Sequence, residues 1–108
     1  MTKTRPYIIC HMMASLDGRI DCTMTSKLSG VDTYYHALSA LDLPTTVSGK
    51  TTAEMELTSA RFTGDDGAPV GKETFYRAEA VDGYSIITDT RGTLGWRGNS
   101  VDGKPLLI

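Results

Sequence analysis

Residues 8–13, Ile-Ile-Cys-His-Met-Met, form an unbroken apolar or weakly polar run, and Ala14-Ser15-Leu16-Asp17-Gly18 follows directly. No helical spacing separates the polar positions, so the run predicts a strand over residues 7–14, covered on both faces and central in a sheet. A hydroxyl, an apolar anchor, a carboxylate and a glycine then arrive where such a strand must turn. Functional groups at the mouth of a sheet commonly come from that kind of place.

The chain has 108 residues, 40% hydrophobic and 22% charged, enough for one core in one domain spanning residues 1–108. A formal net charge of -2 and a pI of about 5.6 supply no basic field, which argues against a nucleic-acid partner. No apolar run approaches the roughly 20 residues of a membrane span, and Met1-Thr2-Lys3-Thr4-Arg5-Pro6 does not open a signal peptide. A cytoplasmic protein without membrane contact is expected. Cys10 and Cys22 have no metal-site or redox-motif spacing and read as free thiols, Cys10 buried in the strand.

After a polar loop over residues 21–30, Val31, Tyr34, Tyr35, Leu38 and Leu41 fall at helical spacing, with Ser29 or Asp32 as candidate caps. Residues 43–48 predict a second strand in which Pro44 is tolerable only at the start, and Gly49 ends it. A second helix is expected over residues 52–60. The order strand, helix, strand, helix implies a parallel pair with a crossover. Residues 61–74 carry clustered turn formers and read as a surface loop, residues 84–88 as a clear strand closed by Asp89-Thr90-Arg91-Gly92. Residues 105–108 look like a strand beginning, and an apolar strand there would leave a bare edge. That suggests the front half of a longer domain.

Two stretches can carry chemistry. In Ser48-Gly49-Lys50-Thr51-Thr52, a glycine between strand and helix lets backbone approach a ligand, Lys50 adds a positive charge, and two hydroxyls add donors. A phosphate ester is the natural occupant, against the plainer reading of a Thr-capped helix with Lys50 in water. A nucleotide-hydrolase P-loop would need glycine where Pro44 stands. In the other stretch, Asp17 beside a buried strand either meets a ligand or caps a turn. Thr88-Asp89-Thr90-Arg91 ends a strand where a cofactor's ribose or phosphate could lie. His11 reads as a hydrogen-bonded, near-core histidine and His36 as solvated.

Arg5-Pro6-Tyr7 leading into His11 through Ile20, then Ser48-Gly49-Lys50-Thr51-Thr52-Ala53-Glu54, resemble the start of a dihydrofolate-reductase-like domain. That family is typified by the C-terminal reductase domain of the bifunctional riboflavin-biosynthesis deaminase/reductase. Gly71-Lys72-Glu73-Thr74 through Ala78 and Gly83 through Thr90 look like a stand-alone branch of it. The resemblance implies an α/β fold of three layers, a mixed and mainly parallel sheet with helices on both faces, incomplete at the C-terminus. It implies NADPH as cofactor and hydride transfer to a ribosylamino-pyrimidine, giving the ribityl form, or to a related pyrimidine or pterin.

Carried over residue by residue, Gly49, Lys50, Thr51 and Thr52 would bind the dinucleotide phosphates, with Lys50 where arginine is common. Thr88 and Thr90 would meet the adenosine end, Ala14 the cofactor, and Ser15 and Asp17 the substrate, with Asp17 the catalytic group. Asp89 pointing inward would repel a 2′-phosphate. Related reductases often pair through a sheet edge, so a homodimer is expected. The turn at Gly18 and the junction at Gly49 would open onto one cleft. The competing readings are a non-catalytic nucleotide-binding or assembly module on the same fold, and a phosphate-binding hydrolase built on Gly49-Lys50-Thr51.

Overall fold

A computed structural model describes residues 4–64 and 75–108. The expected surface loop over residues 61–74, and the Gly71-to-Thr74 part of the resemblance, fall largely outside these described residues. The chain divides into two compact units, Met1–Asp42 and Leu43–Ile108. Each is described by itself.

Among its described residues the first unit holds two helices, α1 (Cys22–Thr25) and α2 (Val31–Leu41). The second is the 11-residue helix that the spacing of apolar residues predicts, with Val31, Tyr34 and Leu41 half-buried and His36 exposed. Neither Ser29 nor Asp32 caps it. Gly30, at φ 96, occupies the cap position in a left-handed conformation that favours glycine, and no side chain bonds the first turn.

The strand expected over residues 7–14 does not form. Among the described residues the segment is not part of any strand, and Tyr7 and Ile8 are 89% and 75% exposed. Its polar contacts show what holds it instead. His11 Nε2 lies 3.1 Å from the Tyr34 carbonyl, and the Tyr34 hydroxyl donates to the His11 carbonyl at 3.3 Å. The two rings stack with centroids 4.5 Å apart. The His11 carbonyl, which a ladder could use, is thus taken by a helix side chain. His11 is hydrogen-bonded and half-buried, as its setting suggested, whereas Cys10 is a free thiol that is exposed rather than buried.

The second unit is α/β: β1 (Thr46–Gly49), α3 (Lys50–Glu56), β2 (Ser85–Thr88), β3 (Ser100–Val101) and β4 (Lys104–Leu107). The sheet order is β1-β2-β4-β3, parallel between β1 and β2 and between β2 and β4, antiparallel between β3 and β4. A mixed, mainly parallel sheet was expected; the parallel pair joined through a helix is β1 with β2 rather than residues 7–14 with β1. Within this unit α3 is the one helix against the sheet among the described residues, touching β1 and β2.

The core is Ala53, Ile87 and Leu94, with Leu57, Trp96 and Leu106 packed around it. Ala53 lets α3 sit close on β2, whose Ser85 and Ile87 point inward. α3 begins two residues before the expected helix and ends four before it, because Thr58 takes over. Its hydroxyl donates to the Gly95 carbonyl at 2.8 Å and accepts the Ala60 amide at 3.1 Å, leading the chain into a bridge between Arg61 and Leu94.

The strand expected at residues 105–108 forms as β4, one residue early, but not at an edge. Residues 104–107 lie in the interior of the sheet, between β2 and β3, so they present no bare edge. They belong to a hairpin whose turn, Asp102-Gly103, has both φ values positive at 51 and 74, the two-residue geometry that matches strand twist. Gly83 is required by space: a Cβ there would stand 2.3 Å from the Pro44 carbonyl oxygen. No helix among the described residues is long and apolar enough to cross a membrane.

Candidate functional site at the β1–α3 junction

Parallel β1 and β2 are in register with Gly49 opposite Thr88, so both strands finish side by side. One continues directly into α3 at Lys50; the other enters the turn that begins at Asp89. The crevice beyond the ends of parallel strands is the usual place for a ligand in open α/β sheets.

Gly49 has φ −79 and ψ 164, an extended conformation open to any residue, and among the described residues the one atom within 4 Å of a Cβ placed there is Thr88 Oγ1 at 4.0 Å. Neither backbone nor packing therefore asks for glycine. A methyl group would only fill the space beside Thr88. Thr88 itself is exposed, its hydroxyl 3.5 Å from the Ser48 carbonyl. Gly49 occupies the cap position of α3, no side chain bonds the first turn, and the Thr-capped alternative is not what forms. Thr51 is exposed and Thr52 half-buried on that turn.

Charge at the junction is arranged around one carboxylate. Glu54 Oε1 stands 4.0 Å from Lys50 Nζ, one turn away on the same helix, and also accepts from Arg61 Nη1. The i,i+4 spacing of Lys50 and Glu54 is visible in sequence. Arg61 is not, because Thr58 and the Arg61–Leu94 bridge bring it back only in the folded unit. Asp89 is the second acid. Its Oδ2 accepts the Leu94 amide at 2.8 Å and its Oδ1 faces Thr93 Oγ1 at 3.4 Å. The Leu94 amide is the largest reason that the Asp89 carboxyl is held below its ordinary range; partial desolvation opposes this, while Thr93 and the charge of Lys50 add to it. Thr90 is exposed in the same turn.

Ser15, Asp17 and Ala14 belong to the first unit. Ser15 and Gly18 close a tight turn, with Gly18 N to Ser15 O and Ser15 N to Arg19 O both 2.9 Å and Gly18 at φ 82. The Ser15 hydroxyl donates to Asp17 Oδ1, and Arg19 Nε lies 3.2 Å from Asp17 Oδ2. Asp17 therefore has partners within its own turn, while Leu16 at the tip is fully exposed. Ala14 lines a cleft of about 400 Å³ with His11, Met13, Leu28 and Tyr34, and Ser15 and Asp17 are not part of its lining.

In the second unit a cleft of about 500 Å³ is lined by Phe62, Tyr76, Leu94, Trp96 and Leu106 among others, and by none of Gly49, Lys50, Thr51, Thr52, Thr88 or Thr90. Neither of these two clefts is lined by the junction residues. Among the described residues no group of three or more His, Cys, Asp or Glu is placed to hold a metal ion. In comparisons with known proteins, the chain matches no family model, no curated protein and no solved structure.

Proposed function

We propose that the chain is an NADPH-dependent reductase acting on a ribosylamino-pyrimidine or a related pyrimidine or pterin, on a three-layer dihydrofolate-reductase-like plan. The observation that carries the reading is the junction itself. A glycine that neither backbone nor packing requires sits beside Thr88 at the ends of two parallel strands, with Lys50 next in the chain.

In this reading a dinucleotide phosphate lies at the ends of β1 and β2. Gly49 lets it lie close to the strand end, Lys50 supplies charge, and the Thr51, Thr52 and Thr88 hydroxyls supply donors, with Thr90 toward the adenosine end. The cofactor supplies the hydride when bound; the chain's part is orientation. Ser15 and Asp17 are the residues we assign to substrate, with Asp17 placing a hydroxyl or a protonated nitrogen. A homodimer through a sheet edge belongs to the same reading.

One observation favours a second reading, a nucleotide-binding module without turnover: Asp17 is already held by Ser15 and Arg19. Thermal unfolding with and without NADPH tests the first step. At about 100 times its dissociation constant a ligand stabilises the folded state by about 2.7 kcal/mol. NADPH is expected to raise Tm, ATP with magnesium is not, and Gly49→Ala and Lys50→Glu should each weaken the NADPH shift without unfolding the chain. An NADPH shift unchanged in both variants overturns the site. NADPH oxidation with a pyrimidine substrate separates the enzyme from the module.

A further inference from the structure

We propose that the cleft of the second unit binds a small planar aromatic carboxylate whose ring carries a hydrogen-bond acceptor, with the ring against Trp96 and the carboxylate on Arg97. The site is separate from the β1–α3 junction and does not rest on the dinucleotide reading. All of its lining residues belong to Leu43–Ile108. At about 500 Å³ it lies in the size range of small-molecule sites, which combine an apolar wall with a few polar groups. Leu94, 4% exposed, and Leu106 supply the apolar part of the wall, while Phe62 and Tyr76 are 60% and 79% exposed. Open aromatic surface of that kind gains from being covered by another ring. The backbone that presents Trp96 is fixed. Gly95 donates to the Ala60 carbonyl at 2.9 Å, its own carbonyl accepts from the Thr58 hydroxyl at 2.8 Å, and Trp96 packs on the core of Ala53, Ile87 and Leu94.

Two observations say what the ligand must carry. Trp96 Nε1 is buried and has no hydrogen-bond partner among the described residues. A buried donor without an acceptor is costly, so a ligand that supplies one is favoured, and an indole that turns to meet it breaks no hydrogen bond. The second observation is charge. Arg97 is exposed and forms no ion pair among the described residues, and no Asp or Glu is among those that line the cleft. An unpaired guanidinium beside an acid-free wall selects an anion, and its planar fork matches a carboxylate. Aromatic wall, unpaired donor and cation together describe an aromatic acid with a ring nitrogen or carbonyl.

The full chain contains a single tryptophan, so indole emission reports on this cleft directly. Isonicotinate carries both the carboxylate and a ring acceptor; benzoate lacks the acceptor, and isonicotinamide lacks the charge. Isonicotinate is expected to change Trp96 emission saturably and to bind about threefold or more tightly than either of the others. Arg97→Met, at an exposed position, should weaken isonicotinate about five- to tenfold and leave isonicotinamide unchanged. In Trp96→Phe, followed by calorimetry, the preference for isonicotinate over benzoate should vanish. Should that variant fail to fold in a thermal melt, the comparison of the two acids on wild type decides the same point. Benzoate binding as tightly as isonicotinate removes the indole N–H from the site, and isonicotinate binding equally to Arg97→Met removes the cation. Either result overturns the proposal, as does emission unmoved by all three ligands. Emission that changes on dilution without ligand would show a second copy of the chain seated in the cleft, and overturns it as well.

Discussion

Asp89 shows how one side chain can be read in two ways until its partners are known. In sequence it is an acid that would repel a 2′-phosphate; in the fold it accepts the Leu94 amide and fastens the turn after β2. Its carboxyl is held below the ordinary range chiefly by that amide. A carboxyl depressed on folding contributes stability above its unfolded value and loses it as pH falls through the folded one. Asp89→Ala should therefore lower Tm at neutral pH, with the deficit against wild type shrinking as melts are taken into the acid range. A deficit that stays constant with pH would mean that the charge has no part in it. Asp17 poses the opposite case, an exposed acid whose partners are local. Removing such a surface pair changes stability by about 1 kcal/mol or less. Asp17→Asn is accordingly expected to leave Tm nearly unchanged while lowering turnover more than NADPH affinity, and wild-type rates would discard its proposed role.

Elements were legible where the local pattern and the tertiary environment ask for the same thing. α2 follows its apolar spacing, and β2 follows the run Ser85-Ile86-Ile87-Thr88 to within a residue. The hairpin of β3 and β4 is present in the sequence as Val101-Asp102-Gly103-Lys104, a two-residue turn signal, and the strand read at residues 105–108 is its second arm. Pro105 is accommodated inside the sheet because the next amide, Leu106 N, reaches the Asn99 carbonyl at 2.8 Å. The hairpin depends on Gly103 at φ 74. Gly103→Val puts a β-branched side chain in left-handed backbone and is expected to cost about 1–2 kcal/mol, read as a lower denaturation midpoint at unchanged m-value. Residues 7–14 form no strand for a reason no window of sequence contains: a ladder needs a partner, and at His11 the carbonyl bonds the Tyr34 hydroxyl instead.

At the scale of the molecule the core of the second unit is small, and its largest fully buried side chain is Ile87. Truncation of such a residue to alanine typically costs about 2–5 kcal/mol, so Ile87→Ala is expected to remove most cooperative unfolding of that unit, seen as a broad or lost melt. A sharp melt within a few degrees of wild type would show that other contacts hold the sheet. The sequence by itself determined the α/β class, the α2 helix, the strand at β2 and the glycine-lysine step from strand to helix, because each is written in neighbouring residues. Only tertiary structure decided which strands pair, that residues 104–107 lie inside the sheet, and that Arg61 joins Lys50 on Glu54. Those outcomes depend on groups far apart in the chain competing for the same hydrogen bonds and charges, and a local pattern carries no record of which competitor wins.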